Sequence, residues 1–231
     1  MEINVIGGGW VTAVNFGRMT DRTGPVLAAG NPVVPPAASI YTQPPVRYRR
    51  FDDYARVGCA AIALALKDAG LDHGADPAPI GIIAATRWGC FDTDRAYYAT
   101  AKEDRGAFAS PNLFSFTLPG IVLGEAAIHF RLTGPTFTIG DEIGQRGLAA
   151  LDVAADLLAS GICRTILAGW LEVDERRAVG NFAANDEPQG GVFVVLSTQH
   201  AENAIRRISR RDFMFYTEAE KVVETIADLF D

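Results

Sequence analysis

The chain has few of the residues that bind metals, pair through sulfur or neutralise nucleic acid. Its 231 residues include three histidines and three cysteines. His73, His129 and His200 stand at no ligand spacing from one another or from a cysteine, so no metal site is expected. Cys59, Cys90 and Cys163 form no CxxC pair and are odd in number, which fits a reducing compartment better than a disulfide framework. Lys and Arg, 21 in all, are outnumbered by 28 Asp and Glu, and the net charge of −7 argues against a nucleic-acid partner. A polar residue or glycine interrupts every apolar run before it reaches the length of a membrane span. The start, Met1-Glu2-Ile3-Asn4, lacks the basic head and apolar core of a secretory signal. A cytoplasmic protein without cofactor, metal or membrane span is therefore expected.

What is present reads as a folded globular chain. Hydrophobic residues make up 48% and charged residues 21%, far from a disordered composition. Residues 3–6 form a first strand, closed by Gly7-Gly8-Gly9. From 18 to 50 the chain holds Pro25, Pro32, Pro35, Pro36, Pro44 and Pro45, and regular structure is disfavoured there. Residues 54–69 are rich in Ala and Leu and read as a helix stopped by Gly70. Further strands are expected at 80–85, 136–139, 165–169 and 192–196, with helices at 92–102, 119–130 and 148–160. Near-continuous apolar strands alternating with helices predict an α/β fold, a five-stranded, mostly parallel mixed sheet with helices on both faces. The helix at 148–160 is apolar almost all round, broken only by Asp152 and Asp156, and should be buried between layers. Near the C-terminus, Thr217 and Glu220 make a capping box, and Ala219, Val222, Val223, Ile226, Leu229 and Phe230 share one face of an amphipathic helix over 217–230. The whole of 1–231 reads as a single domain.

Gly7-Gly8-Gly9 after a strand is no dinucleotide loop. Residue 12 is Thr where the fingerprint needs glycine, so the triplet is read as a tight turn.

The segments Asn4-Val5-Ile6-Gly7-Gly8-Gly9-Trp10-Val11, Arg50-Phe51-Asp52-Asp53-Tyr54-Ala55, Leu66-Lys67-Asp68-Ala69-Gly70-Leu71, Ser110 through Gly120, Leu123-Gly124-Glu125-Ala126-Ala127-Ile128, Leu132-Thr133-Gly134-Pro135 and Pro188 through Leu196 occur in an order that resembles the N-terminal half of a β-ketoacyl synthase. That resemblance implies a thiolase-like half-fold. It also implies that Ser110 to Pro119 crosses a dimer interface, placing Leu113, Phe114 and Phe116 along an acyl pocket or interface. The strand Thr136-Phe137-Thr138-Ile139 is similar to the one that delivers the family's nucleophilic cysteine.

No cysteine follows that strand. Counting from Gly134-Pro135, the position falls at Ile143, or at Gly144 with a shift of one, and neither can attack a thioester. The family's two catalytic histidines come from a C-terminal half that this sequence does not include. No catalytic residue is therefore assigned, and condensation by the chain alone is not expected. Chain-length factors, ketosynthase-like partners in polyketide and aryl-polyene systems, also lack the cysteine and often carry Gln nearby, and Gln145 is a partial match. Gln145 has two readings, a hydrogen bond to an acyl carbonyl or interface, or a bond to exposed backbone at a helix start. Asp141 and Glu142 read as helix-start carboxylates.

Arg206, Arg207, Arg210 and Arg211 form a basic cluster on an acidic chain, as do Arg47, Arg49 and Arg50. The first is either a solvated face or a docking site for an acyl carrier protein. The resemblance implies a non-catalytic subunit that pairs with itself or with a full ketosynthase, supporting fatty-acid, polyketide or aryl-polyene assembly. A stand-alone acyl or carrier-binding module is a second reading. A third is an acyltransferase or thioesterase of altered chemistry using Cys90, or water activated by Asp141 or Glu142.

Overall fold

A computed structural model of the chain describes residues 2–73, 76–102, 104–173, 187–199, 204–209, 212 and 223–230. Strand β1 (Glu2–Thr12) is followed by the short β2 (Phe16–Arg18), which folds back beside it antiparallel. The proline-rich stretch holds only 3-10 turns at Met19–Asp21 and Tyr48–Arg50 and the one-turn helix α1 (Ala37–Ile40). Helix α2 (Asp53–Asp68) follows, then β3 (Ile80–Thr86), α3 (Phe91–Ala101), α4 (Pro111–Phe114), α5 (Ile121–Phe130), β4 (Thr136–Gly140), α6 (Leu148–Ala159), β5 (Thr165–Glu172), β6 (Gly190–Ser197) and β7 (Arg206–Ser209). Asp52 caps α2, its carboxylate accepting the N–H of Ala55 at 2.8 Å.

The strands form one sheet in the order β2-β1-β6-β5-β3-β4, with β7 pairing β1 as well. The α/β class and the mixed sheet agree with the sequence reading. Among the described residues there are seven strands rather than five, and only β3 with β4 and β3 with β5 run parallel. The other pairs, β1 with β2, β6 and β7, and β5 with β6, are antiparallel. The two extra strands are short, β2 beside the proline-rich stretch and β7 in the basic run, where composition masks a strand.

Every residue of β3 is buried, because both faces of the sheet are covered. Ile82 and Ala84 join the core beneath α2 and α5, while Ile83 and Ala85 join the one beneath α6. This alternation turns a half-apolar strand into a continuous apolar run.

The glycine triplet does not make a turn. Gly7, Gly8 and Gly9 continue β1, pairing with Val195, Val194 and Phe193 of β6. Gly7 and Gly9 allow close approach of α2 and its C-terminal end, since a Cβ on Gly9 would stand 2.3 Å from the Ala65 nitrogen and one on Gly7 2.6 Å from the Ala69 nitrogen; Gly8, on the other face, makes room for the Phe230 ring, which would lie 2.6 Å from its Cβ. Small residues on both sides, glycine below and alanine above, let the helix settle on the strand.

Helix α6 is buried on one face only. Leu148, Leu151, Ala154, Ala155 and Leu158 enter the core, whereas Asp156 and Ala159 are exposed and Ala149, Asp152, Val153 and Leu157 are half-buried. The sheet covers one side of α6, and among the described residues nothing buries the opposite side fully. For the expected C-terminal helix, positions 217–222 lie outside the described residues, and 223–230 contain a 3-10 helix at Ile226–Phe230. Val223, Ile226 and Leu229 are buried in the α6 core, and Phe230 meets Trp10 edge-on at 5.2 Å.

Candidate functional site

The parallel strands β3, β4 and β5 end on the same side of the sheet, where three segments meet: Thr86 to Cys90 after β3, the 141–147 loop between β4 and α6, and Trp170 to Glu172 closing β5. Strand C-terminal ends are where α/β sheets gather functional groups. The Glu172 carboxylate is 6% exposed and binds backbone, accepting the N–H of Arg87 at 2.8 Å and of Trp88 at 3.2 Å. Thr86 Oγ1 accepts the N–H of Gly89, so the turn after β3 is held from two sides. The Arg87 guanidinium lies over the Trp88 ring at 5.0 Å.

Asp141 organises the loop. One carboxylate oxygen accepts the N–H of Gly147 at 2.9 Å, and the other is buried without a hydrogen-bond partner. Burial, more than any other cause, pushes the Asp141 carboxyl above the usual carboxylate range. Gly147 has φ +96° and packs so near Trp170 and Ile226 that a Cβ would stand 3.0 Å from Trp170 Cβ and 3.1 Å from Ile226 Cβ. Glycine is required there on both counts.

The structure puts Ile143 at the loop's surface, 67% exposed, and Gly144 beside it at φ +83°. Gln145 is half-buried; its side-chain amide donates to the Glu142 carboxylate at 3.0 Å, and its backbone carbonyl accepts the N–H of Leu148 at the start of α6. The cavity bounded by Arg87, Trp88, Asp141, Ile143, Trp170 and Glu172 measures about 30 Å³, room for about one water molecule. The other nucleophiles and bases are placed elsewhere. Cys59 donates its thiol to the Val122 carbonyl, His129 packs on Tyr41 and Phe130, and His73 lies beside Asp72. Among the described residues no cluster of His, Cys, Asp or Glu is able to hold a metal ion.

Leu113, Phe114 and Phe116 go to three different surroundings. Phe116 is 3% exposed and packs on Phe51 at 5.8 Å. Phe114 is 62% exposed beside Tyr97, and Leu113 lines a separate cavity near Cys90. The basic cluster is divided too. Arg206 and Arg207 are successive residues of β7, so their side chains leave opposite faces of the sheet; Arg206 donates to the Asp228 carbonyl at 2.7 Å and Arg207 is exposed. Arg210 and Arg211 lie outside the described residues. Arg47 pairs with the largely buried Glu125 at 3.1 Å, tying the proline-rich stretch to α5. Glu172 was not marked by the sequence; its one visible sign is a carboxylate ending an otherwise apolar strand.

The family model for the "Beta-ketoacyl synthase, N-terminal domain" matches residues 20–185, more than half of the chain. The chain belongs to the β-ketoacyl synthase family. Solved ketosynthases share the fold. The ishigamide ketosynthase/chain length factor aligns at TM-score 0.66 and 15% identity, covering 87% of this chain and 64% of that one. A ketosynthase in complex with its chain length factor from Xenorhabdus doucetiae aligns at TM-score 0.62 and 15% identity, over 87% of this chain and 81% of that one. The AntDE:AntF complex, a type II polyketide acyl-carrier protein with its ketosynthase, aligns at 0.60 and 17%, over 85% and 62%. The chain thus spans less than two thirds of the length of the ishigamide and AntDE:AntF structures. No curated protein matches it. Among the described residues, no helix is long and apolar enough to cross a membrane.

Proposed function

We propose that this chain is a non-condensing member of its family, a subunit of chain-length-factor character that pairs with a full ketosynthase or with a second copy in carrier-bound acyl-chain assembly. The observation that carries this reading is the 141–147 loop. It presents Ile143 to solvent, and Ile143 or Gly144 is where counting from Gly134-Pro135 puts the family's nucleophile; the adjoining cavity, about 30 Å³, has no room for an acyl chain. Condensation through an acyl-enzyme needs a thiolate at that point, and the loop has none.

Pairing is supported by the edge of the sheet. Among the described residues β4 pairs only with β3, leaving its outer edge open. Thr136, Phe137 and Gly140 are exposed there, and α5, which packs against β4, exposes Ile128. An open strand edge flanked by apolar side chains favours association. Named partners among the structural neighbours, a chain length factor in one and an acyl-carrier protein in another, agree with this reading. For the carrier, Arg207 is the exposed cation on β7. Three free, buried thiols suit a cytoplasmic complex.

The test is turnover and co-elution. The purified chain is expected to give no condensation or malonyl decarboxylation with acyl and malonyl carrier thioesters, and to co-elute with a ketosynthase encoded beside it. Ile143→Cys should leave activity absent, because a thiol alone lacks the general base and oxyanion donors that condensation also requires. Turnover by the wild-type chain alone would refute the proposal.

A further inference from the structure

An open groove of about 700 Å³ lies between the start of β7, the 3-10 turn at Met19–Asp21 and the closing turn at Ile226–Phe230. Its apolar wall includes Met19, Ile205 and Phe230, and its charged groups are Arg22, Arg206 and Asp228. The carboxylate is already engaged. Asp228 accepts the N–H of Glu224 at 2.7 Å, the N–H of Thr225 at 2.8 Å and the Thr225 hydroxyl at 3.3 Å. The guanidiniums are not. Arg206 donates from one terminal nitrogen to the Asp228 backbone carbonyl, which holds the side chain in place and leaves the rest of its rigid fork of N–H donors unused. Arg22 is exposed, and among the described residues neither arginine makes an ion pair. Arg206 shares its face of β7 with Ile208, which is buried in the α6 core, so the half-buried cation emerges beside apolar side chains. Held cations with donors to give, set along an apolar wall, suit an oxyanion attached to a hydrocarbon.

We infer that this groove binds an amphiphilic oxyanion, a carboxylate or phosphate monoester carrying an apolar tail, whose oxygens take the unused N–H donors of Arg22 and Arg206 while the tail lies on Met19, Ile205 and Phe230. A cation would meet two guanidiniums, and a neutral chain would leave their donors to water. The lining draws on neither the 141–147 loop nor the β4 edge, so the site stands whether or not the chain pairs with a ketosynthase. It also parts Arg206, which lines the groove, from Arg207, which leaves the opposite face of β7.

The experiment titrates the full chain with octanoate, octyl phosphate, octanol and octylammonium, each below its micelle concentration or solubility limit, following amide signals by ¹⁵N-correlated NMR. Saturable shifts at Arg22, Ile205 and Arg206 are expected with the oxyanions, at an affinity roughly tenfold above that of octanol, the worth of one hydrogen bond to a charged group. Added salt should narrow that margin, since exposed charges are screened. Whichever oxyanion binds more tightly names the head group. Arg22→Gln should lose most of the preference over octanol, and Ile205→Asp, at a position 44% exposed, should abolish oxyanion binding, with thermal unfolding cooperative in both. Arg206 is left unchanged because its bond to the Asp228 carbonyl ties β7 to the closing turn. Absence of saturable shifts with either oxyanion, or octanol or octylammonium binding as tightly, overturns the site; wild-type affinity in both variants does the same.

Discussion

Glu172 at the end of β5 accepts the backbone N–H of Trp88, 84 positions earlier, at 3.2 Å. With the neighbouring bond to Arg87, this carboxylate fixes the turn after β3 to the end of β5 and lines the small cavity beside the 141–147 loop. Glu172→Ala would leave two N–H groups of a largely buried turn without an acceptor, a loss of about 3 kcal/mol. Glu172→Gln keeps one acceptor oxygen and should lose roughly half as much. Urea unfolding of the three proteins gives the comparison, and equal midpoints would show that water replaces the carboxylate at no cost.

The contact of β1 with α2 makes a sharper claim. The Gly9 position has backbone of Ala61, Leu64 and Ala65 within 2.7 Å of where a Cβ would stand. Since backbone atoms cannot rotate away, Gly9→Val should cost about 2–3 kcal/mol through displacement of the helix. Gly124, in α5, has nothing within 4 Å of its would-be Cβ, so Gly124→Ala should be neutral or stabilising, alanine being the better helix former. Thermal midpoints of the two variants should move in opposite directions or, at the least, Gly9→Val alone should fall.

This contrast also explains what the sequence reveals and what it hides. Helix α2 is legible because an Asp cap, an Ala and Leu run and a Gly stop all point to one element. Strands β3, β5 and β6 are legible as apolar runs. Gly7-Gly8-Gly9 is misread as a turn because a strand interior rarely carries three glycines, and the groups that need them, α2 for Gly7 and Gly9 and the Phe230 ring for Gly8, are more than fifty residues away. That no cysteine follows β4 is legible directly in the sequence. Glu172 is not, because its partners are backbone groups of a distant turn, and backbone groups leave no signature in side-chain identity.

Asp141 gives a pH prediction whose sign is fixed. Burial raises its carboxyl in the folded chain above the unfolded value, and the N–H of Gly147 offsets this only in part. Between those two values the native state binds more protons than the unfolded state, so stability falls as pH rises through the window. Below it both states are protonated and the slope vanishes; above it the cost of burying the charge is complete. Asp141→Asn retains an acceptor for Gly147 and removes the ionisation. Its stability should therefore decline less than wild type from the acid side of the window to neutral pH. Asp52 and Asp94, also raised by burial, add the same slope to both proteins and cancel in the difference. Parallel curves for the two proteins would show that the Asp141 carboxylate is solvated in the native state.

The interface prediction separates two phenylalanines two positions apart. Phe114 is 62% exposed, and Phe116, 3% exposed, is packed on Phe51 with Arg47 above its ring at 5.9 Å. Phe116→Asp would bury a charge inside the chain's own core, costing several kcal/mol, and is expected to unfold it. Phe114→Asp changes an exposed surface, the one the proposed subunit contact would cover. It should leave the monomer's unfolding midpoint within about 0.5 kcal/mol of wild type and weaken association at least tenfold. Phe137→Lys on the open edge of β4 should act in the same direction, since a lysine on an edge strand discourages pairing. Sedimentation of the chain alone and with a ketosynthase measures both. If Phe114→Asp and Phe137→Lys associate as tightly as wild type, neither the α4 surface nor the β4 edge is the interface, and the half-buried outer face of α6, with Ala149, Val153 and Leu157, becomes the surface to test.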